Sequence, residues 1–216
     1  MSPRGREPLS RDRIVAGALA LVELHGVEAL SMRKLAAELG VEAMSLYNHV
    51  ANKDDVLDAI AEVVFADVAL PPPTGDWRVD ARALAHAFRA AALAHPRTAS
   101  LSLARQLGYP AVPVTEAALD ILARAGFDPE QAVHASRTLL AYVIGTLLRE
   151  IGSGQPDGTT GPREAALAAT GLPRVTEAAR HLATIHHEDE YRFGLDLVLD
   201  ALAQRAVSSA GGPSGR

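Results

Sequence analysis

The chain contains no cysteine. Disulfide frameworks, cysteine-ligated zinc, iron–sulfur clusters and thiol catalysis are therefore excluded. Long apolar runs are also missing. The longest uncharged apolar stretch, Thr138 to Leu148, has 11 residues, against the ~20 a membrane-spanning helix needs, so no membrane partner is expected. The opening MSPRGREPLSRDR lacks the apolar core of a secretory signal, and a soluble, cytoplasmic protein is expected. Runs of β-branched residues are scarce, whereas alanine occurs 41 times, and both point to helix. A composition of 48% apolar and 22% charged residues over 216 positions is that of an ordinary globular protein. The length fits one large domain, or a small domain joined to a larger one.

A surplus of positive charge is the last thing the sequence lacks. Arg and Lys total 21 against 26 acids, for a net charge of −5, which argues against nucleic-acid binding by the chain as a whole. The charge is unevenly spread, however. Residues 1–53 hold seven basic groups and six acidic ones, a balance of +1, while residues 54–216 carry −6. A near-neutral head on an acidic body suggests two parts with different partners.

Periodicity and punctuation predict an all-α chain. The first helix runs from Arg11 to about His25, between a Ser10 cap and Gly26. A second covers Met32 to Leu39, between Ser31 and Gly40, and a third about Ala43 to His49. A fourth starts near Lys53 and reaches Val68, with Val56, Leu57, Ile60, Val63 and Val64 on its apolar side, and PPPTG (71–75) stops it. Further helices are expected at 77–94, 98–107, 113–125, 129–151, 163–169, 174–184 and 189–206, with 152–162 as a loop. The predicted organisation is an N-terminal arm and three-helix domain (1–52), a connecting helix (53–70), a larger helical domain (71–206) and a disordered tail (207–216).

Residues 31–53, SMRKLAAELGVEAMSLYNHVANK, carry the chemistry. Two short helices around a turn holding Gly40 and Val41 make a helix-turn-helix. Leu35, Leu39, Val41, Leu46 and Val50 are placed to form one core with the first helix, and Gly40 supplies the positive φ of the turn. Ala43, Met44, Ser45, Tyr47, Asn48 and His49 then face outward, a short surface without an acid that fits a major groove ~12 Å wide. On pattern alone, a plain packing hairpin with a wet polar face remains the alternative.

The stretch from Ile14 to Ala59 resembles the DNA-binding domain of the tetracycline-repressor (TetR) family, carried by HGVEALSMRKLA, ELGV and SLYNHVANKDDVLDAI. A weaker likeness continues through ARAGFDPEQAV (123–133) and RFGLDLVLDAL (192–202), the latter similar to the last helix of the tetracycline-repressor subgroup. The resemblance implies a homodimer that binds a double-stranded DNA operator, with a larger C-terminal domain for an unknown small-molecule inducer and for dimerisation. It implies base contacts from Arg33, Ala43, Met44 and Asn48, and phosphate contacts from Ser45, Tyr47, His49 and Lys53. Arg4, Arg6 and Arg11 would lie near a neighbouring groove or form a solvated basic tail. For ligand binding it points to Phe88, and Gln106, Tyr109, His134, Arg137, Tyr142 and Trp77 are further cavity-lining candidates, each with core or dimer interface as its alternative role. The positions that align with the metal-assisted pocket are Ala69 and Ser102, neither a ligand for magnesium, so neither a metal nor another cofactor is expected. Dimerisation is expected through the helices at 129–151 and 189–206, whose apolar faces include Leu139, Leu140, Val143, Ile144, Leu147, Leu195, Val198, Leu199 and Leu202.

Other features are set aside. HHEDE (186–190) lacks HExxH spacing, and acids opening a helix follow from its dipole. GSGQPDGTTG follows a helix and lacks the Gly-Lys-Ser/Thr ending of a phosphate loop. No nucleophile elbow is present, so no enzyme is expected. A helical small-molecule enzyme or carrier indifferent to DNA, and a regulator acting through a protein partner, remain the competing readings.

Overall fold

Local capping sets the first helices. In the computed structural model, which describes residues 8–66, 68–99, 112–153 and 161–210, α1 spans Arg11–His25. Ser10 accepts the Arg13 N–H at its start, and Gly26 ends it at φ 82°. A 3-10 turn at Val27–Ala29 leads to α2, Met32–Leu39, whose Ser31 cap accepts the Lys34 N–H. Gly40 then adopts φ 65°, ψ 38°, a left-handed conformation that a residue with a Cβ resists. It donates to the carbonyls of Ala36 and Ala37. The third helix, α3, is Ala43–Leu46, three residues shorter than predicted. Tyr47, Asn48 and His49 form a tight turn in which Asn48 and His49 donate to Ser45 and Leu46, three residues back. Asn52 caps the next helix, its side-chain oxygen accepting the Asp55 N–H at 2.9 Å.

α4 covers Lys53–Ala66 and α5 covers Trp77–Ala94, the latter capped by Asp76. Residues 96–99 are helical, and α6 is Val112–Arg124. Past Gly126, Asp128 accepts the Gln131 N–H at the start of α7, Pro129–Ser153. Then come α8 (Gly161–Ala168), α9 (Pro173–Ala183) and α10 (His187–Ala210). No strand occurs among the described residues, so the fold is all-α. α10 runs four residues into the segment expected to be a tail. Gln106 and Tyr109, most of the predicted helix at 98–107, Arg4 and Arg6 lie outside the described residues.

The chain forms two compact units, Met1–Arg124 and Ala125–Arg216. Compactness thus groups α5 and α6 with the helices before them, because both pack against α4. Phe65 of α4 and Phe88 of α5 stack with ring centres 4.5 Å apart and planes 7° apart. Asp80, buried in the first turn of α5, accepts from the Thr74 hydroxyl (2.7 Å) and N–H (2.8 Å) and from Arg124 (2.8 Å). This knot fastens the linker before α5 to the end of α6, and its donors, the Thr74 hydroxyl foremost, hold the Asp80 carboxyl down at about 2.

In the second unit α7 packs along α10, and α8 along α9. Val143, Ile144, Leu147, Leu195, Leu199 and Leu202 are buried within the protomer. These side chains were expected to pair two subunits. They build the chain's own core instead, because each apolar face is wide enough to serve its neighbouring helix first. Leu148, Phe193 and Leu197 are left exposed.

Candidate nucleic-acid interface

The surface of the helix-turn-helix rests on a core of buried apolar side chains. Ile14, Ala18 and Val22 of α1 lie with Leu35 and Ala36 of α2, Leu46 of α3 and Val50, all at most 3% exposed. Leu39 and Val41, expected in the same core, are half-buried at its edge. Gly17 permits the close crossing of α1 and α2, since a Cβ there would lie 2.8 Å from Leu39 Cδ2. The signal for it was available, because an isolated glycine inside a helical pattern usually has a packing reason. Arg13 further secures the crossing by donating to the Leu39 carbonyl at 3.0 Å, satisfying one of the open carbonyls at the end of α2.

On this support the predicted contact residues come to the surface together. Met44 is 75% exposed and Tyr47 46%. Arg33, Asn48 and His49 are exposed, and Ala43, Ser45 and Lys53 half-buried. The side chains of Arg33, Lys34 and Lys53 form no ion pair with another described residue. Cations kept without a counter-ion beside an acid-free helix suit a polyanion. Lys53 opens α4, where the helix dipole adds to its charge and Asp54 and Asp55 of the same turn offset it.

Arg11 does not join this surface. Its guanidinium grips Asp55 with two hydrogen bonds, at 2.7 and 3.0 Å, and reaches the His49 carbonyl at 3.4 Å. Asp55 also accepts the Ala51 N–H at 2.8 Å. Arg11 first, then that N–H, hold the Asp55 carboxyl at about 2, and the Asp55 carboxylate in turn raises the guanidinium above its ordinary value. The pair staples the turn between α3 and α4. Sequence periodicity carries no signal for a contact 44 residues apart.

Each unit holds some of the described ligand candidates. Phe88 is buried against Phe65, and Trp77 is half-buried at the start of α5, both in the first unit. In the second unit His134 is exposed and lines a groove of about 880 Å³ between α7 and α10, with Phe127, Thr138, Val198 and Arg205. Tyr142 lines a different cleft, of about 790 Å³, among α7, α9 and α10, with Arg149, Arg180, His181 and Phe193. Its hydroxyl donates to the Tyr191 carbonyl at 2.8 Å, and burial raises its pKa. The ring lies across Gly194, where a Cβ would be 2.6 Å from its edge. Arg137 is exposed and lines neither cleft. The HHEDE run serves the fold: Glu188 pairs with Arg192, Glu190 with Arg149, and buried His187 sits 3.2 Å from Ser153 Oγ.

Comparison with known proteins gives these residues a context. Residues 14–60 match the model for bacterial regulatory proteins of the tetR family, and residues 71–206 the tetracyclin repressor-like C-terminal domain. A helix-turn-helix transcriptional regulator of Saccharopolyspora erythraea is 41% identical over 149 residues, 68% of this chain and 63% of that protein, so the match spans less than two thirds of its length. The class A tetracycline repressor of transposon 1721, from Escherichia coli, is 32% identical over 92% of this chain and 93% of its own. The Streptomyces coelicolor TetR family protein ActR, solved in complex with actinorhodin, superposes with a TM-score of 0.80 at 29% identity, covering 93% of this chain and 99% of that one.

Proposed function

The chain belongs to the tetR family of bacterial regulatory proteins, and from that membership we propose that it is a ligand-responsive repressor. It binds a palindromic operator as a homodimer and leaves it when a small organic molecule enters the C-terminal body. The observation that carries this reading is the surface of Arg33, Met44, Tyr47, Asn48, His49 and Lys53 on a stapled turn, whose Arg and Lys pair with no described acid. Two such surfaces in one dimer read half-sites ~34–36 Å apart, or a multiple of that. Arg33 presents two donors suited to guanine O6 and N7, and Ala43 and Met44 offer apolar contact to thymine methyls. Ser45, Tyr47, His49 and Lys53 anchor phosphates and fix the register.

The second copy docks on the faces of α7 and α10 that the protomer leaves uncovered, around Leu148, Phe193 and Leu197. The inducer acts by preferring the dimer state with the wrong head spacing, and the operator then weakens inducer binding by the same factor. Related proteins solved with actinorhodin and with minocycline support an organic ligand. Catalysis has no part in the proposal.

A gel-shift titration against the protein's own upstream region tests the reading. Saturable binding to one palindrome, weakening steeply with salt, is expected. Equal affinity for every sequence at every salt concentration would overturn it.

A further inference from the structure

Helix α1 is held at both ends. At its start Arg11 grips Asp55 of α4. At its far end the contact crosses more than seventy residues of sequence. Arg97 donates through Nη1 to the carbonyls of Glu23, at 3.0 Å, and Leu24. In return the Glu23 carboxylate accepts the Thr98 N–H at 2.9 Å and the Thr98 hydroxyl. Thr98 and Ala99 are fully buried and Glu23 half-buried. A cation thus meets the open carbonyls that end α1, and an anion meets the Thr98 N–H in the first turn at 96–99, which it shares with the His95 carbonyl. Each charge lies at the helix end whose dipole favours it.

We infer that Glu23, Arg97 and Thr98 form a clasp that fixes the head on the helices after α4, acting as positioning residues that set the spacing between half-sites. The inference rests on the DNA-binding reading above. Without the clasp, α4 with its linker is the remaining stalk, and the head tilts about it. α1 has 15 residues, so it is ~22 Å long. Across that length a tilt of about 9° displaces one end by ~3.4 Å, one base step. Discrimination between operators that differ by one base pair in spacing therefore requires the tilt to be restrained. α4 contributes one line of attachment and the clasp supplies a second, away from that axis.

The test uses the full chain and duplexes that the wild-type protein selects from a random library. Each selected palindrome is remade with its spacer changed by one and two base pairs. Glu23→Ala and Arg97→Ala are expected to reduce the affinity ratio between selected and altered spacers at least fivefold. The penalty for a base change inside a half-site should stay within twofold of wild type. Glu23→Gln keeps an acceptor for the Thr98 N–H and should retain most of the ratio. Arg97 is exposed, so its removal tests the clasp even if Glu23→Ala does not fold. An unchanged spacer ratio in folded Arg97→Ala overturns the inference, as does an equal loss of half-site discrimination. Failure of the wild-type protein to select any sequence overturns the DNA-binding reading and the clasp with it.

Discussion

The Arg11–Asp55 staple gives a prediction whose size follows from its geometry. Asp55 is held at about 2 against an ordinary 3.8, and at ~1.36 kcal/mol per pKa unit the upper bound is about 2.5 kcal/mol. Solvent reduces that figure, since the Arg11 side chain is 46% exposed and that of Asp55 27%. Exposed pairs contribute ~0.2–1 kcal/mol, and a two-pronged grip lies at the top of that range, so we expect a coupling of about 1 kcal/mol. Urea unfolding at pH 7 of wild type, Arg11→Ala, Asp55→Asn and the double variant measures it. Asp55→Asn keeps an oxygen for the Ala51 N–H, so the cycle isolates the charge. Single losses that add to within ~0.3 kcal/mol of the double variant would refute the argument. The pH dependence has a fixed sign. A depressed carboxyl contributes stability in full above about 4, and that contribution fades as pH falls toward 2. Wild type should therefore lose part of its advantage over Asp55→Asn between pH 5 and pH 3. Because the staple also holds the His49 carbonyl, operator affinity should fall several-fold in either single variant.

Three further outcomes are expected. Arg33→Ala should cost about 1–3 kcal/mol of operator binding and relax preference at one position per half-site, while Lys53→Ala should weaken all sequences alike and lower the salt slope by about 1. Binding isotherms over a salt series separate the two, and identical behaviour would collapse the division between reading and anchoring. At Gly17, alanine should be nearly neutral in urea unfolding. Its helix gain of ~1 kcal/mol offsets the ~0.5–1.5 kcal/mol needed to turn Leu39 aside, whereas valine should cost about 1–3 kcal/mol by overpacking. Phe193→Asp, at a side chain 70% exposed, should give a folded monomer in sedimentation, and an intact dimer would place the subunit interface elsewhere.

Where the sequence carries its own punctuation, it predicts the fold to the residue. Ser10 with Gly26 and Ser31 with Gly40 bound α1 and α2 as expected, because a cap is a local hydrogen bond between neighbours. α3 was overestimated because its last turn tightens, Asn48 and His49 donating three residues back to Ser45 and Leu46. The exposure of the side chains from Arg33 to Lys53 was legible for the same local reason, the residues lying within one short motif. Glu23 with Thr98, Arg11 with Asp55 and Asp80 with Arg124 were not. Each joins residues 44 to 75 positions apart, and a pattern read along the chain has no term for such pairs. The faces of α7 and α10 were recognised as apolar, but periodicity does not say whether a helix's partner lies in the same chain or in another.

The knot of Thr74, Asp80 and Arg124 has a practical consequence, because the chain's single tryptophan stands beside it. Trp77 is the first residue of α5, directly after the Asp76 cap, and is half-buried there. Selective excitation of its indole reports on the junction between linker and helix alone, free of the four tyrosines. The protein thus carries a built-in fluorophore where the linker meets α5. Titrating DNA or a trial inducer while following emission colour and quencher access would show whether that joint loosens, with no label attached.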